Sequence, residues 1–376
     1  MGIENLELLT LQQIWWIIVS LLGALFVLMM FIQGGQTLFN TLSSNETEKS
    51  MLVNSMGRKW ELGFTTLVLF GGALFAAFPL FYATSFGGAY WVWMAILFCF
   101  VLQAVSYEFR LKKNNFLGQK SYEMFLYING SVGVFLIGVA LSTLFSGSGF
   151  MLDDNNFSHW ISPYRGLEAL SNPFNFLLGF ALLFLAKLGG AFYFMSSVES
   201  DEITKKALAS IKVNTILFLL FFLAFLGWIL TKDGFAIDAN GVIFMQEYKY
   251  LRNFIELPIL LVMLVVGVVM VLLTLSVTLK KEKMCCIKIG AFGVVFSVMS
   301  ILLSVGLNST AFYPSTYDLQ SSLTIMKSSG SHYTLSVMSY AALMVPFVLA
   351  YIVYAWRSLD KSKITQEEIN KDKHGY

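Results

Sequence analysis

Residues 60–79 read Trp-Glu-Leu-Gly-Phe-Thr-Thr-Leu-Val-Leu-Phe-Gly-Gly-Ala-Leu-Phe-Ala-Ala-Phe-Pro. This run predicts a membrane helix, because about 20 mostly apolar residues are enough to cross a bilayer. The carboxylate of Glu61 at its start is costly at the edge of hydrocarbon, which makes it a functional candidate by default. The adjacent Gly71 and Gly72 allow a second helix backbone to approach closely. The stretch therefore offers both a candidate proton site and a candidate helix interface.

The composition of the whole chain agrees with this prediction. Of its 376 residues, 57% are hydrophobic and 13% are charged, whereas about a quarter of a soluble domain is charged. The formal net charge of +2 indicates no nucleic-acid partner. We predict an all-α polytopic membrane protein, because helices satisfy their own backbone hydrogen bonds in lipid.

The apolar runs predict nine membrane spans within an integral membrane domain of residues 1–356. The expected architecture is two four-helix bundles plus a peripheral ninth helix, followed by a charged, solvated cytoplasmic tail at 357–376. The predicted spans are 12–33, 62–83, 88–109, 122–145, 173–196, 207–230, 254–279, 289–307 and 333–356.

Basic residues in the connections predict the orientation of the chain. The connections on one side and the C-terminal tail hold 18 Lys and Arg residues, among them Arg58, Lys59 and Arg110, whereas the opposite side holds five. Since Lys and Arg accumulate in cytoplasmic loops, we expect the N-terminus outside and the C-terminus in the cytoplasm.

The histidines and cysteines argue against a metal or haem centre on this chain. Its three histidines, His159, His332 and His374, all fall outside the predicted spans, whereas a haem in a helix bundle needs axial ligands from facing helices. Three cysteines, at 99, 285 and 286, have no zinc spacing and are interpreted as small apolar residues. Glycine pairs at 34–35, 71–72, 87–88 and 189–190 are predicted to be helix contacts.

Two carboxylates are expected at the cytoplasmic ends of neighbouring spans. Glu61 starts the second span and Glu108 ends the third. One interpretation is a proton entry site. The alternative is a pair of interfacial salt bridges, in which Glu61 pairs with Arg58 or Lys59 and Glu108 with Arg110; the sequence leaves both open.

Lys187 is the deepest predicted charge. It lies inside the fifth predicted span and requires a carboxylate, water or a route by which its ammonium reaches the interface. The sequence names no partner for it.

Several motifs, in order along the chain, carry a family resemblance. They include the Trp60-Glu61 pair, the string from Gly71 and Gly72 to Pro79, the element Tyr107-Glu108-Phe109-Arg110, and Asn172-Pro173-Phe174. With these motifs the chain resembles subunit II of the cytochrome bd quinol oxidases over essentially its whole length.

The resemblance implies a partner, subunit I, that carries two b-type haems, haem d and the quinol site. The complex would oxidise quinol and reduce dioxygen to water with protons taken from the cytoplasm. This chain would then ligate no haem and hold no catalytic residue. The resemblance also leaves open a small single-span accessory subunit and a structural quinone or lipid bound between the bundles.

The chain departs from the family pattern at polar positions. Met30 and Gln33 stand where bacterial members often have acids late in the first span, Gly63 replaces an Asn, and Gln103 replaces an Arg. Glu61 is then the main surviving carboxylate of that region, and Lys187 a candidate replacement for a lost charge. Nine spans with intramembrane charges would alone also permit a secondary transporter or an accessory scaffold.

Overall fold

The computed structural model describes residues 3–281 and 287–371, so Cys285, Cys286 and His374 lie outside the described residues. Within those ranges nine helical segments have the length and composition to cross a membrane, which confirms the predicted number. We number them spans 1 to 9: Leu8–Gln36, Glu46–Ala77, Tyr90–Phe109, Gln119–Ser146, Pro173–Ser197, Asp201–Thr231, Pro258–Lys281, Ile287–Gly306 and His332–Leu359.

Several spans are assembled from consecutive helices, and short elements connect them. The α-helices are Leu8–Met29, Phe31–Gln36, Phe39–Leu42, Glu46–Gly57, Trp60–Ala77, Pro79–Tyr82, Tyr90–Phe109, Gln119–Ile128, Val134–Ser146, Pro173–Ser197, Asp201–Thr231, Lys249–Glu256, Pro258–Lys281, Ile287–Gly306, Ile325–Ser328, His332–Ala342, Val345–Leu359 and Gln366–Lys371. The 3-10 helices are Ile3–Asn5, Leu167–Ser171 and Leu319–Ser321, and the π-helices are Ala83–Gly88 and Asn129–Gly133. The strands are Phe150–Leu152, Ser158–Trp160, Gly234–Ile237 and Ile243–Gln246.

The spans form two groups of four and one outlier. Spans 1 to 4 pack together, spans 5 to 8 pack together, and the groups meet where span 1 contacts spans 5 and 8 and where span 4 contacts span 5. The first half of span 9 packs on spans 1 and 2, and its second half contacts span 1 through Trp356, whose ring centroid lies 5.6 Å from that of Phe31. The span is 11% buried over its most apolar window. This arrangement agrees with two four-helix bundles and a peripheral helix.

Span 2 ends earlier than its predicted range of 62–83. Its α-helix stops at Ala77, and Phe78 leaves the helical region with φ −129° and ψ 64°. The cause is Pro79, whose ring disfavours helical backbone at the preceding residue. The chain continues as a helical turn at Pro79–Tyr82 and a π-helix at Ala83–Gly88.

Span 2 also begins earlier than predicted, with an additional helix at Glu46–Gly57. Asn45 caps this helix by accepting a hydrogen bond from the backbone N–H of Glu48 at 2.8 Å, and the Glu48 carboxylate accepts one from the backbone N–H of Ser44 at 2.7 Å. This reciprocal arrangement satisfies donors at the helix start. The predicted start of span 2 at residue 62 therefore misses this helix.

Glycines bring spans 1 and 5 into backbone contact. A Cβ added to Gly34 would lie 2.0 Å from the carbonyl carbon of Ala186, and one added to Gly190 would lie 2.5 Å from the Cα of Gly35. Neither space can hold a side chain. The prediction of close helix contacts is confirmed for the pairs at 34–35 and 189–190.

The other two glycine pairs behave differently. A Cβ on Gly88 would lie 2.0 Å from the indole nitrogen of Trp160, and one on Gly71 would make an ordinary contact of 3.7 Å with Phe86. Gly72 and Gly87 have no described atom within 4 Å of an added Cβ. For these two the prediction of a helix contact within this chain is wrong.

The long outer connections form an ordered cap. Two antiparallel hairpins pair Phe150 with Trp160 and Gly234 with Gln246. Buried Tyr313 stacks on Phe150, with ring centroids 5.4 Å apart, and burial raises the pKa of its phenol. The cap covers the outer ends of spans 1, 2 and 4.

The described part of the C-terminal tail is mostly exposed but is anchored to the membrane domain at a few positions. Lys59, 1% exposed, pairs with Asp360 at 2.6 Å, and Arg58 pairs with Glu368 at 2.5 Å. The backbone N–H of Ile364 donates to the carbonyl of Ser197 at 2.8 Å. These contacts hold the tail against spans 2 and 5.

The glycine contact yields a direct test. We expect Gly190→Val to destabilise the folded protein by at least about 1–3 kcal/mol, because the added side chain must displace the backbone of span 1. Gly227→Val, whose added Cβ meets no described atom within 4 Å, is the matched control and should leave the thermal unfolding midpoint almost unchanged. Equal unfolding midpoints for the two variants would contradict the packing described above.

Candidate functional site

A buried row of polar side chains runs through the first bundle between spans 1, 3 and 4. We call it the polar seam. From the membrane interior to the end of the bundle that carries the basic connections, it comprises Asn129, Gln33, Gln103, Gln36, Tyr107, Arg110 and Glu123. All seven are at least nine-tenths buried, although they occur in three separate segments of the chain.

The inner part of the seam holds neutral amides with unused hydrogen-bonding capacity. Gln33 donates to Gln103 at a long 3.4 Å, and Gln36 donates to the Tyr107 hydroxyl at 3.1 Å. Both side-chain amide atoms of Asn129, the amide nitrogen of Gln103 and the amide oxygen of Gln36 have no protein partner. Buried polar atoms of this kind are usually satisfied by internal water.

The π-helix at Asn129–Gly133 places Asn129 in the seam. This segment adds a residue to a helical turn of span 4, a distortion that often occurs at functional sites. Gly130 allows span 1 to approach, because an added Cβ would lie 2.1 Å from the carbonyl oxygen of Gln33. The hydrophobic periodicity of the sequence does not indicate this π-helix.

The end of the seam that faces the basic connections is an ion-pair cluster. Arg110, 1% exposed, donates from Nε and Nη2 to one carboxylate oxygen of Glu123 at 3.1 and 2.8 Å. Gln119 donates to the same oxygen at 2.8 Å, while Lys49 pairs with the other at 3.3 Å. Two cations and one carboxylate thus close the seam toward the predicted cytoplasm.

Glu61 lies on the opposite side of its helix from the seam. A Cβ on Gly63 would lie 3.2 Å from the side-chain nitrogen of Gln33, and residues two apart on a helix point in nearly opposite directions. Glu61 is exposed and forms no ion pair with the described residues. The alternative in which it pairs with Arg58 or Lys59 is wrong, because both cations bind the C-terminal tail.

The exposed side of span 2 forms a regular stripe that begins at Glu61. The stripe, which we call the Glu61 stripe, consists of Glu61, Thr65, Val68, Gly72 and Phe75. Its spacing of four, three, four and three residues is typical of a helix face that packs against another helix. No other described residue comes within 4 Å of a Cβ on Gly72, so the stripe leaves room for a close neighbour.

Glu108 is held in a surface salt bridge. Its carboxylate pairs with Lys112 one helical turn away at 3.0 Å, and both side chains are about 60% exposed. The predicted pairing with Arg110 is wrong, because Arg110 turns inward to Glu123. Stacking of Trp60 on Tyr107, with centroids 6.1 Å apart, places Glu61 and Glu108 at a similar depth.

Lys187 lies half-buried in span 5. It forms no ion pair or hydrogen bond with the residues the structure describes, whereas every strongly buried cation of the basic face has a carboxylate partner. Its pairing with a group on another molecule stays a prediction.

The two described histidines lie outside the spans or at their outer edge. His159 binds Asp153 at 3.1 Å, and His332 binds the backbone oxygen of Leu6 at 2.8 Å. In residues 3–281 and 287–371 no three His, Cys, Asp or Glu side chains form a group able to hold a metal ion.

Comparisons with known proteins match this architecture from end to end. The profile of the family described as cytochrome bd terminal oxidase subunit II matches residues 11–359. The chain belongs to this family. It is 28% identical to the cytochrome bd-I ubiquinol oxidase subunit 2 of Escherichia coli K12, over 97% of this chain and 98% of that protein.

Two further relatives extend the comparison. The cytochrome bd ubiquinol oxidase subunit 2 of Bacillus subtilis is 27% identical over 95% of this chain and 99% of its own length. The structure of the bd oxidase from Geobacillus thermodenitrificans contains a chain that superposes with a TM-score of 0.63, covering 94% of this chain and 100% of that one. That match has 14% identity and therefore speaks for the fold alone.

In this bd oxidase subunit II, the expected departures from the family pattern lie in or against the polar seam. Gln33 and Gln103, two of the positions at which the resemblance implies a departure from the family pattern, face each other in the seam, and Gly63 lies against Gln33. Of the motif residues, Arg110 belongs to the seam and Trp60 stacks on its member Tyr107. The sequence did not point to Glu123, Asn129 or Gln36, because each is an ordinary polar residue whose place in the seam depends on how spans 1, 3 and 4 pack.

The ion-pair cluster gives a test of the seam. We expect Glu123→Ala to destabilise the protein by about 3–5 kcal/mol, because it leaves the buried Arg110 without a carboxylate. Glu108→Ala is the matched control and should cost less than about 1 kcal/mol, as for an exposed salt bridge. Thermal unfolding of the purified complex measures both, and a small effect of Glu123→Ala would contradict the assignment.

Proposed function

We propose that this chain is the subunit of a quinol oxidase that pairs with a haem-bearing subunit I and delivers cytoplasmic protons to it through Glu61. The observation that carries the proposal is the Glu61 stripe. A carboxylate that faces hydrocarbon is expensive, and on this stripe no described residue neutralises it. A partner helix that covers the stripe would shield Glu61 and pack against Gly72.

The redox chemistry belongs to the partner in this proposal. Two b-type haems and haem d on subunit I would supply electron transfer from quinol to dioxygen. Each dioxygen takes up four electrons and four protons to become two water molecules, and two quinols provide the electrons. This chain contributes scaffold, interface and proton supply, with no haem ligand and no catalytic residue of its own.

Glu61 is suited to this role by its local environment. It lies in the first turn of the helix Trp60–Ala77, where the partial positive charge of the helix start stabilises a carboxylate. Its exposure and lack of a salt bridge leave it able to exchange protons. Glu108, at similar depth, is tied to Lys112 and is proposed as an auxiliary donor at the surface.

The polar seam contains no acid that could take over the proposed proton-carrying role of Glu61. Its inner residues are neutral amides and cannot carry a proton as a charged side chain. Its only carboxylate, Glu123, is held by Arg110 and Lys49. We assign the seam to structure and internal hydration, which leaves Glu61 as the acid able to serve the partner.

The remaining parts of the proposal follow from the family. The complex would lie in the bacterial cytoplasmic membrane, surrounded by lipid and with room for a small single-span accessory subunit. The cavity between the bundles has a volume of about 240 Å³ and apolar walls that include Phe145, Leu182 and Phe222, which would accept the tail of a structural quinone. The family favours this function over a transporter.

The test is Glu61→Gln in the assembled complex. We expect quinol oxidase turnover to fall by about 10²-fold or more, as for the loss of a proton-transferring group, with haem content unchanged. Glu61→Asp should keep part of the turnover, and Glu108→Gln should have a much smaller effect. Normal turnover of Glu61→Gln with full haem loading would remove Glu61 from the proton route.

A further inference from the structure

An apolar groove opens between the inner ends of spans 1, 5, 7, 8 and 9. Its volume is about 470 Å³. Leu28 and Phe31 of span 1, Leu188 and Phe192 of span 5, and Ala291 and Val294 of span 8 line its walls. The groove adjoins the cavity between the bundles, since Val27 and Leu185 line both.

The mouth of the groove carries uncompensated positive charge. Lys288 and Arg357 line it, and both are exposed without an ion pair to any described residue. The single carboxylate among the lining residues, Asp360, is already bound by Lys59 at 2.6 Å, by the Tyr193 hydroxyl at 2.9 Å and by the indole N–H of Trp356 at 2.6 Å. Two cations therefore remain available for an anion.

Span 9 has little support from protein on this side. Its second helix, Val345–Leu359, contains no buried residue. That helix ends beside the groove with Trp356 and Arg357 as part of the wall. Apart from Trp356, which contacts Tyr193 of span 5, the space between this helix and spans 5 and 8 has mainly apolar walls. Such a surface needs an apolar occupant.

We propose that this groove binds one anionic phospholipid. Its acyl chains would lie against the walls of spans 1, 5 and 8, and its phosphate would contact Lys288 and Arg357. The lipid would thereby connect the peripheral span 9 to the second bundle. Lys280 and Lys281 at the end of span 7 add positive charge to the same face.

The charge at the mouth distinguishes this occupant from the alternatives. A quinone would use the apolar walls but is uncharged, so its retention would not depend on Lys288 and Arg357. A zwitterionic phospholipid has no net charge and gains less from two cations. The predicted dependence on both the cations and the walls is specific to an anionic lipid.

The experiment uses the complete oxidase complex purified in mild detergent and reconstituted with mixtures of phosphatidylglycerol and phosphatidylethanolamine. Native mass spectrometry counts the lipids that stay bound, and haem content and unfolding temperature verify the assembly. We compare the wild type with the double variant Lys288→Glu, Arg357→Glu. The control is Lys113→Glu, Lys120→Glu, which reverses two exposed charges away from the groove.

We expect the wild type and the control to retain phosphatidylglycerol and the groove variant to bind it at least about tenfold more weakly. Ala291→Phe, which fills the groove and leaves the mouth intact, should lower binding as well. Undiminished phosphatidylglycerol in the groove variant would overturn the proposal. So would loss of a bound quinone, rather than phosphatidylglycerol, in Ala291→Phe.

Discussion

The contact between the backbones of spans 1 and 5 is the constraint on which the rest of the structure depends. Gly34 and Gly190 leave no room for a side chain at the crossing, so the two bundles share one closely packed boundary. Without a hydrophobic driving force between helices in lipid, such close packing is a main source of their association. The crossing fixes the end of span 1, and with it the positions of Gln33 and Gln36 in the polar seam.

Buried cations at the basic face are paired with carboxylates. At the basic face Arg110 and Lys59 are almost fully buried, and each is matched by a carboxylate outside its own helix. Glu61 and Lys187 are exceptions to this matching at membrane depth. Since unpaired charge in a membrane is rare and functional, these two are the positions at which we expect other molecules to act.

The sequence predicted the parts of the fold that depend on local composition. Nine apolar runs gave nine spans, and the paired glycines at 34–35 and 189–190 gave a true helix contact. It did not predict the break at Pro79, because it placed the end of span 2 at residue 83, whereas the proline ends the helix before Phe78.

What the sequence could not predict depends on distant partners. The salt bridge from Lys59 to Asp360 joins residues 301 positions apart, and the anchored tail follows from it. The pairing of Arg110 with Glu123 instead of Glu108 is decided by which carboxylate lies inside the bundle. Hydrophobic periodicity does not indicate the π-helix at Asn129–Gly133. The seam consists of residues from three spans, and only their packing brings these residues together.

Site-specific photo-crosslinking tests the central claim, that the Glu61 stripe faces a haem-bearing partner, most directly. A photoreactive residue at Val68 lies on the stripe, and one at Val265 on span 7 is an equally exposed control. The account predicts that irradiation of membranes links the Val68 variant to a haem-containing polypeptide, while the Val265 variant gives no such product. A haem-containing product from Val265 and none from Val68 would contradict it.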